Sequence, residues 1–352
     1  MGYKDIYFYS LFFAGSMVFS LLINGLYFRF SKSIGMRNIK EDISPLEDQT
    51  KPAFGGISFY IVFLLSVSAY SILSGFEILF QNLGFIGVIA SASIAFLVGL
   101  ADDVYNIKPF LKLLTQFLCG LILVATGTYI QFCSIQIINY AVTIIWVIGI
   151  MTSINMLNNI DSIASIVSVF IFLSGLVVFV VLDTVDSVYF VILLGSIASL
   201  LVFLFFNWHP SKIYMGDNGS QFLGLLLAVV GIMCFWNTPF DAVSKSLVKQ
   251  IILTTVVFIL PLTDTIIAII ECLGKKPSHF IGCHDNATHH LSYLGLSETK
   301  VAFVFIFLSS ISLLFCYAIA SGGHSNLALA FSAVFSIIVF LSLFIITKVS
   351  KK

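Results

Sequence analysis

The stretch LGFIGVIASASIAFLVGLADDVYNIKPFLK, residues 83–112, decides the fold. Residues 83–101 carry no charge, and a helix needs about 20 apolar residues to cross the core of a bilayer. Asp102 and Asp103 follow directly, and carboxylates beside hydrocarbon are costly unless a partner or a ligand uses them. The stretch therefore predicts a membrane-spanning helix that ends in a polar segment capable of chemistry.

The composition of the whole chain indicates the same environment. Apolar residues make up 59% of the 352 residues and charged residues 10%, and the mean hydropathy is +1.07. A soluble protein of this length could not cover so much apolar surface. Because the net charge is zero, the overall charge does not indicate a nucleic-acid partner, and none is expected.

Apolar stretches of spanning length recur along the chain, separated by polar segments or by Pro and Gly. They predict an all-α polytopic transmembrane bundle of about eleven helices. The bundle is expected to be one integral membrane domain covering residues 1–352. The expected helix bounds are 6–28, 55–74, 83–101, 110–129, 135–152, 163–182, 187–206, 220–236, 249–272, 300–321 and 326–347.

The distribution of Lys and Arg predicts the orientation of these helices. Fourteen of the seventeen basic residues lie in the C-terminal tail or follow odd-numbered helices, and three lie on the other side. Cytoplasmic loops are enriched in basic residues, so these loops and the C-terminus are predicted to be cytoplasmic and the N-terminus outside. The segments rich in Asp, Asn, His and Gly fall on the same side: 36–56, 101–108, 152–162, 207–220 and 273–299.

The acid pair at residues 102–103 precedes a predicted helix start. Pro109 suits the first position of a helix, Lys112 its first turn, and Gln116 the same face one turn later. A helix N-terminus that carries a lysine is a suitable phosphate site, and two carboxylates could hold a cation or accept a proton. An interfacial loop whose charges merely end the helix explains these residues equally well.

Two further segments carry polar residues between spans. Asn155, Asn158 and Asp161 could ligate Mg²⁺ or hydrogen-bond a nucleobase, although helix caps explain such residues more simply. In NWHPSKIYMGDNGS, residues 207–220, two glycines flank Asp217 and permit close approach of a ligand. Since carboxylates are suitable ligands for Mg²⁺ bound to a diphosphate, ligand binding is favoured for this segment.

The segment 273–299 contains four of the six histidines of the chain. Their spacing does not match a zinc site, and partly protonated histidines facing a phosphate fit the setting better. These residues are His279, His284, His289 and His290.

Together these motifs resemble the polyprenyl-phosphate N-acetylhexosamine-1-phosphate transferases of glycosyltransferase family 4. The family's proline and paired glycines are similar to residues 51–57. Its Asp-Asp motif and its Lys-Leu-Leu-x-Gln helix start match residues 102–103 and 112–116. Residues 215–224 match its Met-Gly-Asp-x-Gly-Ser-x-x-Leu-Gly pattern at every fixed position.

The resemblance implies a role for each candidate residue. Asp217 would be the principal ligand of Mg²⁺, with Asn155 nearby, and Mn²⁺ could substitute. Lys112 would contact the phosphates, and Asp102 or Asp103 would take the proton from the lipid phosphate. The remaining substrate-binding residues would be Asn158, Asp161, His284, His289, His290, Gly55 and Gly56.

Some residues depart from the family pattern. Residues 158–162 read Asn-Asn-Ile-Asp-Ser where the family has Asp-Gly-x-Asp-Gly. In the preferred alignment Asp161 is the second acid, which contacts the nucleobase in relatives; in an alignment three residues later it is the first acid. Asn286 stands where many relatives carry histidine, and His284 where arginine is common. The triple-histidine pattern of the peptidoglycan translocase branch is absent, which favours a simple UDP-N-acetylhexosamine.

The expected activity is the transfer of N-acetylhexosamine 1-phosphate from a UDP-sugar to a polyprenyl phosphate such as undecaprenyl phosphate. GlcNAc-1-phosphate is the favoured group. The products would be polyprenyl-diphospho-sugar and UMP, in the initiating step of a lipid-linked cell-surface glycan such as O-antigen or cell-wall polymer. The expected location is the inner cell membrane with a cytoplasmic active site, and a homodimer is one expected assembly.

Two other hypotheses about the function remain open. A secondary transporter or lipid flippase would need polar groups near the midplane and in the outer half of the membrane. An inactive family member acting as a scaffold is suggested by Ser162 and Asn286, which replace commoner residues.

Overall fold

The computed structural model describes residues 3–31, 55–74, 81–238, 247–273, 290–291, 293–322 and 325–349. Twelve long helices account for most of these ranges, and no strand occurs within them. The helices are α1 (Tyr3–Ser31), α2 (Gly55–Ser74), α3 (Leu83–Tyr105), α4 (Pro109–Ala125), α5 (Gln136–Leu157), α6 (Ile163–Val181), α7 (Val188–Asn207), α8 (Gly216–Val230), α9 (Leu247–Val257), α10 (Ile259–Leu273), α11 (Glu298–Ala320) and α12 (Ser325–Val349).

The lengths and apolar character of the helices are those of a multi-pass membrane protein. In the described ranges, nine helices are long and apolar enough to cross a bilayer, and α9 with α10 form a tenth candidate that is bent by 80°. The bend falls at Phe258, three residues before Pro261, which has no backbone N–H to donate. The predicted all-α membrane bundle is confirmed, whereas the count of eleven spans and their orientation stay predictions.

Helix α4 has 17 residues, fewer than an upright span usually needs, yet it runs from one end of the bundle to the other. Its first turn carries Lys112, which pairs with Asp102 near the end of α3. Beyond its last turn, the Thr128 hydroxyl donates to the Gly84 carbonyl at the start of α3. The two helices are therefore antiparallel neighbours.

Helix α8 is the central element of the bundle. It packs against α2, α3, α5 and α6, and it continues into one π-helical turn, Gly231–Trp236. In the most apolar part of Gly216–Trp236, 89% of the residues are buried, whereas in that of Ile6–Arg29, within α1, 11% are buried. Helix α8 therefore lies inside the bundle and α1 at its edge. A residue at the start of α8 is consequently held by several neighbouring helices.

At the polar end of the bundle, three predicted helix boundaries fall clearly short of the observed ones. Helix α3 continues to Tyr105, α5 continues to Leu157, and α8 begins at Gly216. The acid pair at 102–103 therefore lies within the last turn of α3, and Asp217 lies in the first turn of α8. Polar residues extend these helices because side chains and caps satisfy the terminal backbone groups.

The polar segments that the sequence places on one side meet at one end of the bundle. Gly55 and Gly56, at the start of α2, donate backbone hydrogen bonds to the carbonyls of Tyr214 and Met215, at 3.1 and 3.2 Å. At the opposite end, the Tyr70 hydroxyl donates to the Asp186 carbonyl at 2.8 Å. All five polar segments contribute residues to the first end, and residues 36–54, 274–289 and 292 of these segments lie outside the described residues.

Candidate active site

Lys112 joins two acidic residues from different helices. Pro109 is the first residue of α4, as predicted, and this places Lys112 in its first turn. Its Nζ pairs with Asp102 on α3 and lies 3.3 Å from Asp217 Oδ2 on α8. The side chains of Lys112 and Asp217 are 24% and 30% exposed, whereas that of Asp102 is 2% exposed. A ligand can therefore reach Lys112 and Asp217, with Asp102 behind them.

Asp102 has partners at both carboxylate oxygens. Oδ1 accepts the backbone N–H of Ile107 at 2.8 Å, and Oδ2 pairs with Lys112. Asn106, which directly follows α3, adopts a left-handed conformation with φ 51° and donates its N–H to the Asp102 carbonyl. A buried carboxylate needs such compensation, and here it also fixes the turn from α3 to α4.

Asp103 binds the start of α8. Its Oδ1 accepts the backbone N–H of Asp217 at 2.7 Å, and its Oδ2 accepts that of Asn218 at 2.9 Å. The side-chain amide of Asn218 donates to the same Oδ2. The first N–H groups of a helix have no partner within it, and a negative charge near them is stabilising. Asp103 thus acts as a cap supplied by another helix.

The turn around Asp217 is enclosed by close backbone approaches. A Cβ atom on Gly56 would collide with the backbone of Gly219, and one on Gly99 would collide with the backbone of Asp217 and Asn218. Only glycine permits α2 and α3 to approach α8 this closely. Gly55 and Gly56 are buried against protein, so the predicted contact of either with substrate stays a prediction.

The end of α5 lies beside the same turn. The Ser220 hydroxyl donates to Asn155 Oδ1 at 2.8 Å, and the Asn158 amide donates to the Gly216 carbonyl at 3.3 Å. Asn155 and Asn158 therefore contact the turn that carries Asp217, and the metal-binding and substrate-binding roles expected for them stay predictions. Their carboxylate and amide oxygens are hard donors, which suit a Mg²⁺ ion that takes its other ligands from phosphates and water.

Helix α4 has a polar side toward the interior of the bundle and an apolar side toward the outside. Gln116, one turn after Lys112, donates to Gln221 Oε1 at 3.3 Å and accepts from the Thr152 hydroxyl at 3.1 Å. Phe110 and Leu113 are exposed on the outer side of the same helix. In a membrane that outer side meets lipid, so Lys112 stands between the hydrocarbon and the polar interior.

A second group of side chains surrounds Asp161 in the turn between α5 and α6. Asp161 Oδ2 accepts the backbone N–H of Ser211 at 3.1 Å and lies 3.4 Å from His209 Nδ1. The same nitrogen lies 2.9 Å from Glu298 Oε2, at the start of α11. Over the described ranges, these three side chains form the one group of at least three acidic, His or Cys residues whose donor atoms lie within 4.8 Å of one another.

The sequence interpretation did not assign His209 or Glu298. Both lie in the segments recognised as polar, 207–220 and 273–299, and both are titratable. No spacing pattern links residues so far apart in the chain, so only their shared membership of polar segments on one side could have indicated them.

The predicted histidine contacts are partly outside the described residues, which exclude His284 and His289. His290 is buried, and its ring lies edge-on to Tyr293 with 5.7 Å between centroids. Phosphate contacts of the three histidines stay predictions.

Comparisons with known proteins agree with the motifs. The glycosyl transferase family 4 model matches residues 85–235, which include Lys112, the acid pair and Asp217. A probable undecaprenyl-phosphate N-acetylglucosaminyl 1-phosphate transferase of Bacillus subtilis is 26% identical over 282 residues, covering 76% of this chain and 74% of the relative.

Shorter alignments link the chain to a second group of enzymes. A phospho-N-acetylmuramoyl-pentapeptide-transferase of Leptospira biflexa is 34% identical over 121 residues, and one of Lactobacillus johnsonii is 36% identical over 117 residues. This chain spans 28% and 32% of the length of these relatives.

The fold and the site therefore define a polytopic membrane protein with a polar site at one end. The resemblance predicted from the motifs is confirmed, because residues 85–235 match the glycosyl transferase family 4 model and the Bacillus subtilis relative aligns over 76% of the chain.

Proposed function

We propose that this protein transfers N-acetylglucosamine 1-phosphate from UDP-N-acetylglucosamine to undecaprenyl phosphate, releasing UMP. The observation that carries the proposal is the Lys112–Asp217 pair, because one cation lies beside one partly exposed carboxylate at the polar end of the bundle, and apolar side chains are exposed on the outer side of α4. The Bacillus subtilis relative, whose name describes this chemistry, aligns over 76% of the chain and supports the choice of substrates.

The reaction is a displacement at phosphorus. An oxygen of the lipid phosphate attacks the phosphorus that carries the sugar, the bond to the bridging oxygen breaks, and UMP leaves with that oxygen. The protein must bring two anions together and offset their charge. Lys112 suits this task, because its ammonium is partly exposed at the polar end of the bundle, between Asp102 and Asp217.

Mg²⁺ is the proposed cofactor, and Mn²⁺ could replace it. Asp217 would hold the ion, with Asn155 next to it, and the ion when bound would neutralise diphosphate charge. The donor set fits, because Asp217 is partly exposed and Asn155 adjoins it through Ser220. Few protein ligands are needed where phosphates and water supply the rest.

Asp102 and Asp103 are proposed to position the site. Each is engaged by protein donors: Asp102 by Lys112 and the following turn, and Asp103 by the start of α8. A phosphate monoester has a second pKa of about 6, so most of the lipid phosphate is already deprotonated at neutral pH. Proton acceptance by either carboxylate, the role that the family resemblance implies, would then contribute less than their hold on Lys112 and Asp217.

The cytoplasmic face of the inner membrane is the proposed location of the site, because the basic residues of the chain concentrate on that side. The product would be the first lipid-linked sugar of a cell-surface glycan. Polar and charged groups that meet at one end favour this reading over a transporter.

The test is a transfer assay with purified full-length protein, undecaprenyl phosphate and radiolabelled UDP-N-acetylglucosamine in Mg²⁺. We expect label in butanol-extractable lipid and one UMP released per label, and no UMP when the lipid is omitted. If well-folded protein transferred no label from any of several UDP-sugars, the result would contradict the proposal and favour a transporter or an inactive scaffold.

A matched pair of lysine variants tests in the same assay whether Lys112 contributes to turnover. Lys112→Gln should lower turnover at least about tenfold, because the charge that offsets the phosphates is lost. Lys108→Gln is the control, because Lys108 is exposed one turn earlier in the chain and should leave turnover within about twofold. Equal losses in both variants would mean that Lys112 has no special role.

A further inference from the structure

A cavity of about 680 Å³ lies at the end of the bundle opposite Lys112 and Asp217. Its lining comes from the ends of α4 and α6 and the turns after them, from the starts of α3 and α7, and from the π-helical turn that follows α8. Small-molecule sites in proteins have volumes of about 300–1,000 Å³. The cavity is therefore large enough for a ligand, and it is separate from the candidate active site.

Hydrogen bonds between helix ends hold the walls of this cavity. Asn237, directly after the π-helical turn, donates its side-chain amide to the Tyr129 carbonyl at 2.8 Å, and its Oδ1 accepts the Gln131 N–H at 2.9 Å. The backbone N–H of Asn237 donates to the carbonyl of Ile232, five residues earlier, at 3.1 Å. Such π-helical turns are frequent at functional sites. This turn and the residues after α4 are thus fixed to each other, so the cavity is preformed.

Several polar groups that line the cavity have no protein partner. The hydroxyl groups of Tyr129, Thr184 and Tyr189 make no hydrogen bond in the described part of the chain. Asn82 accepts the Phe85 N–H at its Oδ1, at 3.2 Å, and its amide nitrogen has no partner among the described residues. A hydroxyl both donates and accepts, and an amide nitrogen donates twice. These groups therefore offer hydrogen bonds to a molecule in the cavity.

The lining of the cavity is polar without being charged. Asn, Gln, Ser, Thr and Tyr supply its polar side chains, and no Asp, Glu, Lys, Arg or His is among the described residues that line it. The helix dipoles nearly offset one another, because three C-terminal ends and two N-terminal ends meet there. A charged ligand would lose hydration without gaining a counter-charge. The lining therefore disfavours both phosphate-bearing substrates of the proposed reaction and favours an uncharged ligand.

Aromatic and apolar side chains lie beside these polar groups. Phe179, Met233 and two tyrosines share the lining with the hydroxyl and amide groups. A sugar ring has the matching composition, with hydroxyl groups at its edge and C–H bonds on its faces, which pack against aromatic rings. We propose that this cavity binds a neutral saccharide, either free or as the head group of an uncharged glycolipid. The proposal is independent of the transfer reaction, because no lining residue belongs to the candidate active site.

The test is calorimetry with purified full-length protein in phosphatidylcholine nanodiscs. The probes are a series of neutral mono- and disaccharides, and hexyl β-glucoside as the head group of a glycolipid. At least one sugar probe should bind with a Kd of about 1 mM or lower. Hexanol, hexyl phosphate and hexyltrimethylammonium carry the same chain without a sugar, and each should bind at least about tenfold more weakly than hexyl β-glucoside.

A matched pair of tyrosine variants places the ligand in the cavity. Tyr189→Phe removes one unpaired hydroxyl and keeps the ring, so affinity for the sugar probe should fall at least about fivefold. Tyr317→Phe is the control, because Tyr317 is exposed in the last turn of α11 and does not line the cavity. Its affinity should equal that of the wild-type protein.

Protection from alkylation gives a second, independent measurement. In a cysteine-free background, a saturating sugar probe should slow maleimide labelling of Thr184→Cys at least about threefold, because position 184 is exposed and lines the cavity. Asp186→Cys, also exposed but outside the lining, should be labelled at an unchanged rate.

The source of the sugar follows from which probe binds. Binding of free saccharides supports a soluble ligand, and binding of hexyl β-glucoside alone supports a glycolipid head group. The proposal is overturned if folded wild-type protein binds no sugar probe, if a sugar-free hexyl probe binds as tightly as hexyl β-glucoside, or if the changes at positions 184 and 189 leave both measurements unaffected. None of these results alters the transfer assay, so they are distinguishable from failure of the proposed function.

Discussion

Asp103, near the end of α3, accepts a hydrogen bond at 2.7 Å from the backbone N–H of Asp217, in the first turn of α8. The adjacent acid, Asp102, instead pairs with Lys112 on α4. The two neighbouring acids thus hold the two partly exposed members of the site, Asp217 and Lys112. This division explains how buried carboxylates are stabilised and why the exposed pair is held in one place.

The first prediction concerns this cap. Asp103→Asn keeps one oxygen acceptor but turns an NH₂ group toward backbone N–H donors. It should lower the free energy of unfolding by about 1–3 kcal/mol, measured by thermal or denaturant unfolding in detergent. Turnover should fall as well, because the turn that presents Asp217 loosens.

The pH dependence of Asp103→Asn separates positioning from proton acceptance. If Asp103 only positions the turn, the variant should keep the shape of the wild-type pH–rate profile at lower amplitude. Loss of the acidic limb of the profile with unchanged stability would show instead that Asp103 is a general base. Asp186→Asn, an exposed acid at the opposite end of the bundle, is the control.

The second prediction concerns packing around the site. Gly56→Ala places a Cβ atom against the backbone of Gly219, so α2 and α8 must separate. Overpacking of this kind costs about 1–3 kcal/mol, and the expected result is a lower unfolding temperature together with lower turnover. Gly149→Ala is the matched control, because the space beside Gly149 in the middle of α5 is open and alanine favours a helix. Equal stability of the two variants would contradict the close approach.

The sequence predicts the helices of this fold better than their contacts. Apolar length is a local property, so the predicted stretches are helical and Pro109 starts α4 as expected, although the stretch 249–272 is divided into α9 and α10. The pairing of Asp103 with Asp217 joins residues 114 positions apart, and hydrophobic patterning carries no information about it. The charge distribution did indicate that these segments share one face of the membrane.

Other contacts of the site can be assigned only from the structure, because a polar residue in a sequence has several possible roles. Asp103 looks like a reacting acid in sequence, yet it works as a helix cap in the structure. His209 and Glu298 meet only because α11 packs against residues 208–209. Tertiary packing, not propensity, decides such contacts.

The third prediction concerns orientation in the membrane. In a cysteine-free background, Asp186→Cys should react with a membrane-impermeant maleimide in intact cells, and Lys212→Cys only after the membrane is opened. Both positions are exposed, and they lie at opposite ends of the bundle. A separate variant that keeps the native, exposed Cys133 as its one cysteine is a useful control, since residues 126–129 and 131 line one cavity with Thr184 and Ser187. Labelling of positions 186 and 212 from one side would refute the predicted topology.

The central claim is that Asp217 serves the transfer reaction through Mg²⁺, and it is tested most directly by the turnover of Asp217→Asn as a function of Mg²⁺ concentration. The substitution keeps the size and one oxygen while removing the charge. Turnover should fall at least about a hundredfold, near 3 kcal/mol of transition-state stabilisation, and the Mg²⁺ concentration for half-maximal rate should rise. Folded Asp217→Asn protein with near wild-type turnover and unchanged Mg²⁺ dependence would contradict the assignment of this site.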